Sequence, residues 1–153
     1  MSHLVTRSIT RLSFLLATLF LFTVSASAQN VGIQSGLSAD PDQFYFGGHL
    51  ETSALVDRVH FRPNVEVGLG NDLTLITANM DFVYKFLTNR NGWGLYAGGG
   101  PALNIFMVND DSNSEAGLNF LVGVYQERGL FFEFKVGAMD SPDFKFGVGW
   151  TFR

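Results

Sequence analysis

Three residues that alternate within one short segment, His49, Glu51 and Ser53, carry the functional groups of acyl-transfer chemistry. An imidazole oriented by a carboxylate can take the proton of a nearby hydroxyl and make it a nucleophile. His60 follows on the next segment, and with His49 and a carboxylate it offers metal-ligand chemistry, although no H-x-x-H or H-E-x-x-H spacing is present. Glu51 with Glu66 is a further carboxylate pair. Gly98-Gly99-Gly100 lacks the lysine and helix of a phosphate loop. Asn109-Asp110-Asp111-Ser112-Asn113 is not a complete calcium loop and reads as a solvated tip. No cofactor is expected. The chain has no cysteine, which excludes thiolate chemistry and disulfides. The same polar residues are also what a strand shows when its polar face satisfies its own hydrogen bonds, so the elements that carry them decide between the two.

Those elements alternate with period two. In the last segment Phe144, Phe146, Val148, Trp150 and Phe152 share one face, and Lys145, Gly147, Gly149, Thr151 and Arg153 the other. A strand writes this pattern when one face meets an apolar medium and the other meets polar partners. Eight such segments are expected: Asn30–Ser38, Phe44–Leu55, Val59–Gly70, Leu73–Leu87, Trp93–Met107, Ala116–Gln126, Leu130–Met139 and Phe144–Phe152. Each approaches or exceeds the roughly 9–11 residues that a tilted strand needs to cross a bilayer. Turn chemistry separates them, as in Ala39-Asp40-Pro41-Asp42, Asn71-Asp72 and Asn89-Arg90-Asn91-Gly92. The fold class is therefore all-β, an eight-stranded antiparallel up-and-down transmembrane barrel occupying 29–153.

A secretory signal precedes it. Arg7 and Arg11 lead an apolar run from Leu12 to Val24, and Ala26-Ser27-Ala28 supplies a cleavage site, so residues 1–28 are expected to be removed. The whole chain carries 10 basic and 14 acidic residues; the signal takes two arginines and no acid. An acidic chain without a basic run excludes nucleic acid as a partner.

Phase and direction sort the side chains. The outward aromatics fall at two heights: Phe61, Phe86, Trp93, Phe132, Trp150 and Phe152 toward the periplasmic rim, Phe44, Phe46, Phe120 and Phe144 toward the outer rim. Inward positions hold Glu51, Glu66, Asp81 and Glu133 with Arg62, Lys85, Lys135 and Lys145, acids and bases in equal number. An eight-stranded barrel is only wide enough for side chains to fill, so these charges must pair and no open pore follows. If Asn71-Asp72 is a two-residue hairpin loop, Arg62 lies opposite Asp81 and Phe61 opposite Phe82, and the Arg62 and Asp81 side chains meet inside. Pro63 and Pro101 fall within strands, where they cannot donate to a ladder. Gly98-Gly99-Gly100-Pro101 reads as a bulge or kink that curves the sheet.

The strand rhythm, the signal and the Phe144-to-Phe152 alternation resemble the small bacterial outer-membrane β-barrel superfamily of OmpA-type and OmpX-type proteins. The resemblance implies an outer-membrane location, lipid as the surrounding partner and the barrel-assembly machinery as the partner in biogenesis; a monomer is expected. Members commonly end in an aromatic residue; here Phe152 precedes Arg153. Some members modify lipid A acyl chains, which makes His49, Glu51 and Ser53 the catalytic candidates if this chain is an enzyme. The expectation is a non-enzymatic structural or surface-interaction protein. A soluble lipocalin-like barrel is the alternative. It would turn Phe61, Phe82, Phe134 and Trp150 into a ligand cavity and Arg62, Asp81 and Lys135 into solvent.

Overall fold

Strict alternation gives every strand one apolar and one polar face, and the chain hides the polar one by curling the sheet until its edges meet. In the computed structural model, which describes residues 28–153, eight strands run as β1 (Ala28–Ala39), β2 (Gln43–Thr52), β3 (Val59–Leu69), β4 (Thr74–Lys85), β5 (Trp93–Val108), β6 (Asp111–Gln126), β7 (Leu130–Met139) and β8 (Phe144–Phe152). Each pairs antiparallel with its sequence neighbours, and β1 pairs with β8 to close the barrel. The expected export signal lies on residues outside those described, apart from its last one.

The faces fall as the alternation requires. Ile33, Phe46, Phe82, Phe134, Phe146 and Trp150 are between 40% and 58% exposed on the exterior, whereas Arg62, Glu66, Asp81, Glu133 and Lys135 are at most 5% exposed inside. The soluble-barrel alternative needs the opposite orientation and is overturned by these positions. The β3–β4 hairpin has the expected register, with Arg62 opposite Asp81, Phe61 opposite Phe82 and Val67 opposite Ile76. Asp72 takes a φ of 59° in its turn. Such left-handed geometry is most accessible to glycine, asparagine and aspartate.

Three expectations need correction. The segment after Asn109 is a strand: β6 starts at Asp111 and pairs with Val108 across a two-residue turn, so the acidic tip is the end of a long hairpin. Gly98-Gly99-Gly100-Pro101 carries no bulge, because Asn79 opposite Ala102 and Phe82 opposite Gly99 keep one register. The ladder instead has a gap between Met80-Asp81 and Gly100-Pro101. Finally, β2 ends at Thr52 and does not reach Leu55.

Both prolines sit at ladder gaps, which explains their tolerance. Pro101 pairs on its β6 side and is unpaired toward β4. Pro63 pairs with Met80 of β4, while the β2–β3 ladder stops at His49 opposite Asn64, one residue earlier. A proline lacks the N–H that would continue either ladder. Beyond the second gap, the Phe61 N–H donates to Thr52 Oγ1 at 3.1 Å and restores the contact.

The end of the barrel remote from the termini is capped from within. Ser141 and Pro142 of the β7–β8 turn are buried, and Asn104 Nδ2 donates to Asp140 O at 2.9 Å and Ser141 Oγ at 3.3 Å. Gly117 makes the room: a Cβ there would lie 3.0 Å from Ser141 Cβ and N and closer still to its Oγ. Gly117→Val is expected to lift this turn and destabilise the barrel by about 1–3 kcal/mol, the usual cost of overpacking. Faster amide hydrogen exchange at Ser141 and Asp143, with the β3–β4 hairpin unchanged, is the check.

Candidate functional site

The interior of the barrel is where the charged residues converge, and it is built in layers along the strands. At the end bearing the termini, Lys85 Nζ contacts Glu51 Oε1 at 2.5 Å, and Arg153 Nη2 lies 3.7 Å from the same oxygen. Deeper in, Val83, Tyr96, Leu121, Tyr125 and Phe131 form an apolar cluster. Arg62 stacks over the Tyr96 ring at 4.9 Å and pairs with Glu133. Tyr96 Oη donates to Glu133 at 2.7 Å. The next layer joins Lys135 to Asp81 at 2.9 Å and to Glu66 at 3.5 Å, and Lys145 to Glu66 at 2.6 Å. Gln34 Nε2 also donates to Glu66, at 2.7 Å.

Amides complete the plug. Asn64 Nδ2 donates to Asp81 at 3.0 Å, Asn79 Nδ2 to Asn64 at 2.6 Å, and Asn119 Nδ2 to Asn79 at 2.7 Å. At the capped end Thr77 Oγ1 donates to Asn104 Oδ1 at 3.0 Å. Buried charges are tolerable only when paired and hydrogen-bonded, and here carboxylates and cations interleave across the lumen.

Arg62 and Asp81 are opposed in register and both point inward, yet their ionic partners lie elsewhere: Arg62 binds Glu133 on β7, and Asp81 binds Lys135 on β7. The expected Arg62–Asp81 meeting is therefore replaced by bonds across the barrel. Long side chains in a narrow cylinder reach the far wall as readily as the adjacent strand, and hairpin register does not report that distance. Glu66, Lys85, Glu133 and Lys135 are likewise bonded to non-neighbouring strands.

The candidate triad is not assembled. The β1–β2 register shifts between Ala28 and Asn30, opposite Thr52 and Glu51. Glu51 and Thr52 are consequently both buried and Ser53 is exposed, beyond the end of β2. Glu51 is committed to Lys85. His49 Nε2 lies 3.0 Å from Thr151 Oγ1, and its ring packs edge-on against Phe131 at 5.3 Å. His60 sits apart from it, with Nδ1 2.9 Å from Thr52 O. Glu51, Ser53, His60, Lys85, Glu127 and Arg153 line an open polar vestibule of about 380 Å³ at the terminal end, and His49 is not part of it. Among the described residues no cluster of three or more His, Asp or Glu is arranged to hold a metal ion.

The interior residues that sequence reasoning passed over are the apolar ones, the aromatics Tyr45, Tyr96, Tyr125 and Phe131 with Leu75, Val83 and Leu121. The signal was present, since Phe131 shares its phase with Glu133 and Lys135. The aromatics assigned to the two rims, Phe44, Phe61, Phe86, Trp93, Phe132, Phe144, Trp150 and Phe152, all lie exposed or half-buried on the exterior.

No family model and no curated protein sequence matches the chain. Among solved structures, the fold is similar to the N-terminal β-barrel domain of Pseudomonas aeruginosa OprF, with TM-score 0.57 and 17% identity over 82% of this chain and 98% of that one. It is also similar to Neisserial surface protein A, with TM-score 0.64 and 13% identity over 80% of this chain and 94% of that one. At such identities the likeness establishes a shared fold alone, the closed β-barrel.

Proposed function

We propose that the chain is a closed, non-enzymatic outer-membrane barrel whose role is structural, exported by a cleaved N-terminal signal, folded by the barrel-assembly machinery and monomeric in the bilayer. The observation that carries this reading is the polarity of the two faces. Large apolar side chains cover the outside while the ionised ones are sealed within. Contiguous exposed apolar surface on this scale is unfavourable in water and favourable against lipid. The paired lumen supports closure to ions. The short turns at the capped end favour a structural role over recognition through long loops.

The test is fractionation of cells expressing the full chain. Recovery in the Sarkosyl-insoluble fraction, with a heat-modifiable shift in gel mobility, is the expected result. A soluble, detergent-free monomer would overturn the proposal.

The non-enzymatic reading makes a separate prediction. Lipid A from a deletion strain complemented with Ser53→Ala or His49→Ala should match that from the strain complemented with the unmutated chain. An altered acyl pattern in the deletion strain, restored only by the unmutated chain, would establish catalysis.

A further inference from the structure

The gap in the ladder beside Pro63 has a consequence on the exterior. Where β2 and β3 cease to pair, the wall of the barrel is indented by an apolar cleft of about 350 Å³. Its sides are formed by Val31, Leu50, Phe61, Pro63, Ala78 and Met80, and the interior residues His49, Asn64 and Asn79 reach its floor. The indentation has a cause at each level: Pro63 cannot bond toward β2, and Gly48 contributes no side chain to the outer face. A Cβ on Gly48 would meet nothing closer than Gly32 O at 3.5 Å, so the space is open.

His49 supplies a second, independent feature. It is 2% exposed, its Nε2 is engaged by Thr151, and its Nδ1 has no hydrogen-bond partner among the described residues. A buried polar atom left unpaired is costly, and the residue that bears it is one of those lining the cleft.

We propose that this cleft is a lateral binding site for one acyl chain of a membrane lipid, with the chain lying between β2 and β3. The inference rests on the membrane reading above. The choice of occupant follows from position: the cleft is continuous with the exposed belt that includes Val31, Val65 and Met80, so hydrocarbon is what that reading places at its mouth. A free peptide or a second barrel would have to displace lipid from the same belt.

The full chain, refolded into phosphatidylcholine vesicles containing a small fraction of phosphatidylcholine with a diazirine in one acyl chain, provides the test. After irradiation, lipid adducts are mapped by mass spectrometry. Labelling at Leu50, Pro63 and Ala78 should exceed that at the belt positions Val122, Phe134 and Phe146 by about fivefold, the ratio expected of a preference near 1 kcal/mol. Gly48→Leu, which fills the cleft from one side, should abolish the excess while leaving belt labelling unchanged. Ala78→Phe, from the opposite side, should do the same, with heat-modifiable mobility confirming that each variant is folded. Equal labelling of cleft and belt, or an excess that survives both fillings, overturns the cleft assignment. Absence of labelling from the belt itself overturns the membrane reading instead.

Discussion

Replacing Glu66 with alanine is expected to lower the stability of the folded barrel by about 3–5 kcal/mol, because it strands buried cations whose attraction to the carboxylate had offset their desolvation. Glu66 is 1% exposed and accepts from Lys145 at 2.6 Å, Lys135 at 3.5 Å and Gln34 at 2.7 Å. Lys135 keeps Asp81 and Glu133 when Glu66 is lost. Lys145 forms no other ion pair among the described residues, so the penalty concentrates there. Reversible urea unfolding in lipid vesicles measures the effect. The double variant Glu66→Ala with Lys145→Met should regain about half of the loss, since an apolar side chain carries no desolvation penalty. A cost below about 1 kcal/mol for Glu66→Ala would mean that water reaches the lumen and screens the pair.

The second large effect is steric. Gly98 and Gly100 lie on the inner phase of β5, pressed against the β4 backbone. A Cβ on Gly98 would sit 2.8 Å from Val83 Cα and closer to Phe82 O; one on Gly100 would sit 3.0 Å from Asp81 Cα and closer to Met80 O. Main chain cannot swing aside as a side chain can. Gly98→Val is therefore expected to cost about 3 kcal/mol, the upper part of the range for overpacking, and to cut the yield of heat-modifiable folded protein. Gly48→Ala is the contrast. It faces outward into open space and should change stability by no more than about 0.5 kcal/mol. Equal behaviour of the two variants would show that the close approach of β4 and β5 is not a constraint.

The two effects explain why part of this protein was readable from its residues and part was not. The sidedness of β8, from Phe144 to Phe152, needs only the period of an extended chain, in which successive side chains point to opposite faces. The same rule orients Glu133 and Lys135, and also Phe131, whose inward position could have been read in the same way. Register in β3–β4 was legible because a two-residue turn at Asn71-Asp72 leaves one pairing. The candidate triad failed for an equally local reason that leaves no trace in composition. A register shift opposite Glu51 and Thr52 breaks the alternation on which Ser53 depended.

The amino-acid sequence by itself determined the number of strands, the face that side chains within an unbroken ladder take and the balance of charge inside, because these follow from alternation, turn residues and the cost of an unpaired ion. Only the tertiary structure decided which acid meets which base. Arg62 joins Glu133 and Asp81 joins Lys135 across a lumen whose width and shear arise from closing β1 on β8, and no span of chain shorter than the whole barrel encodes that closure.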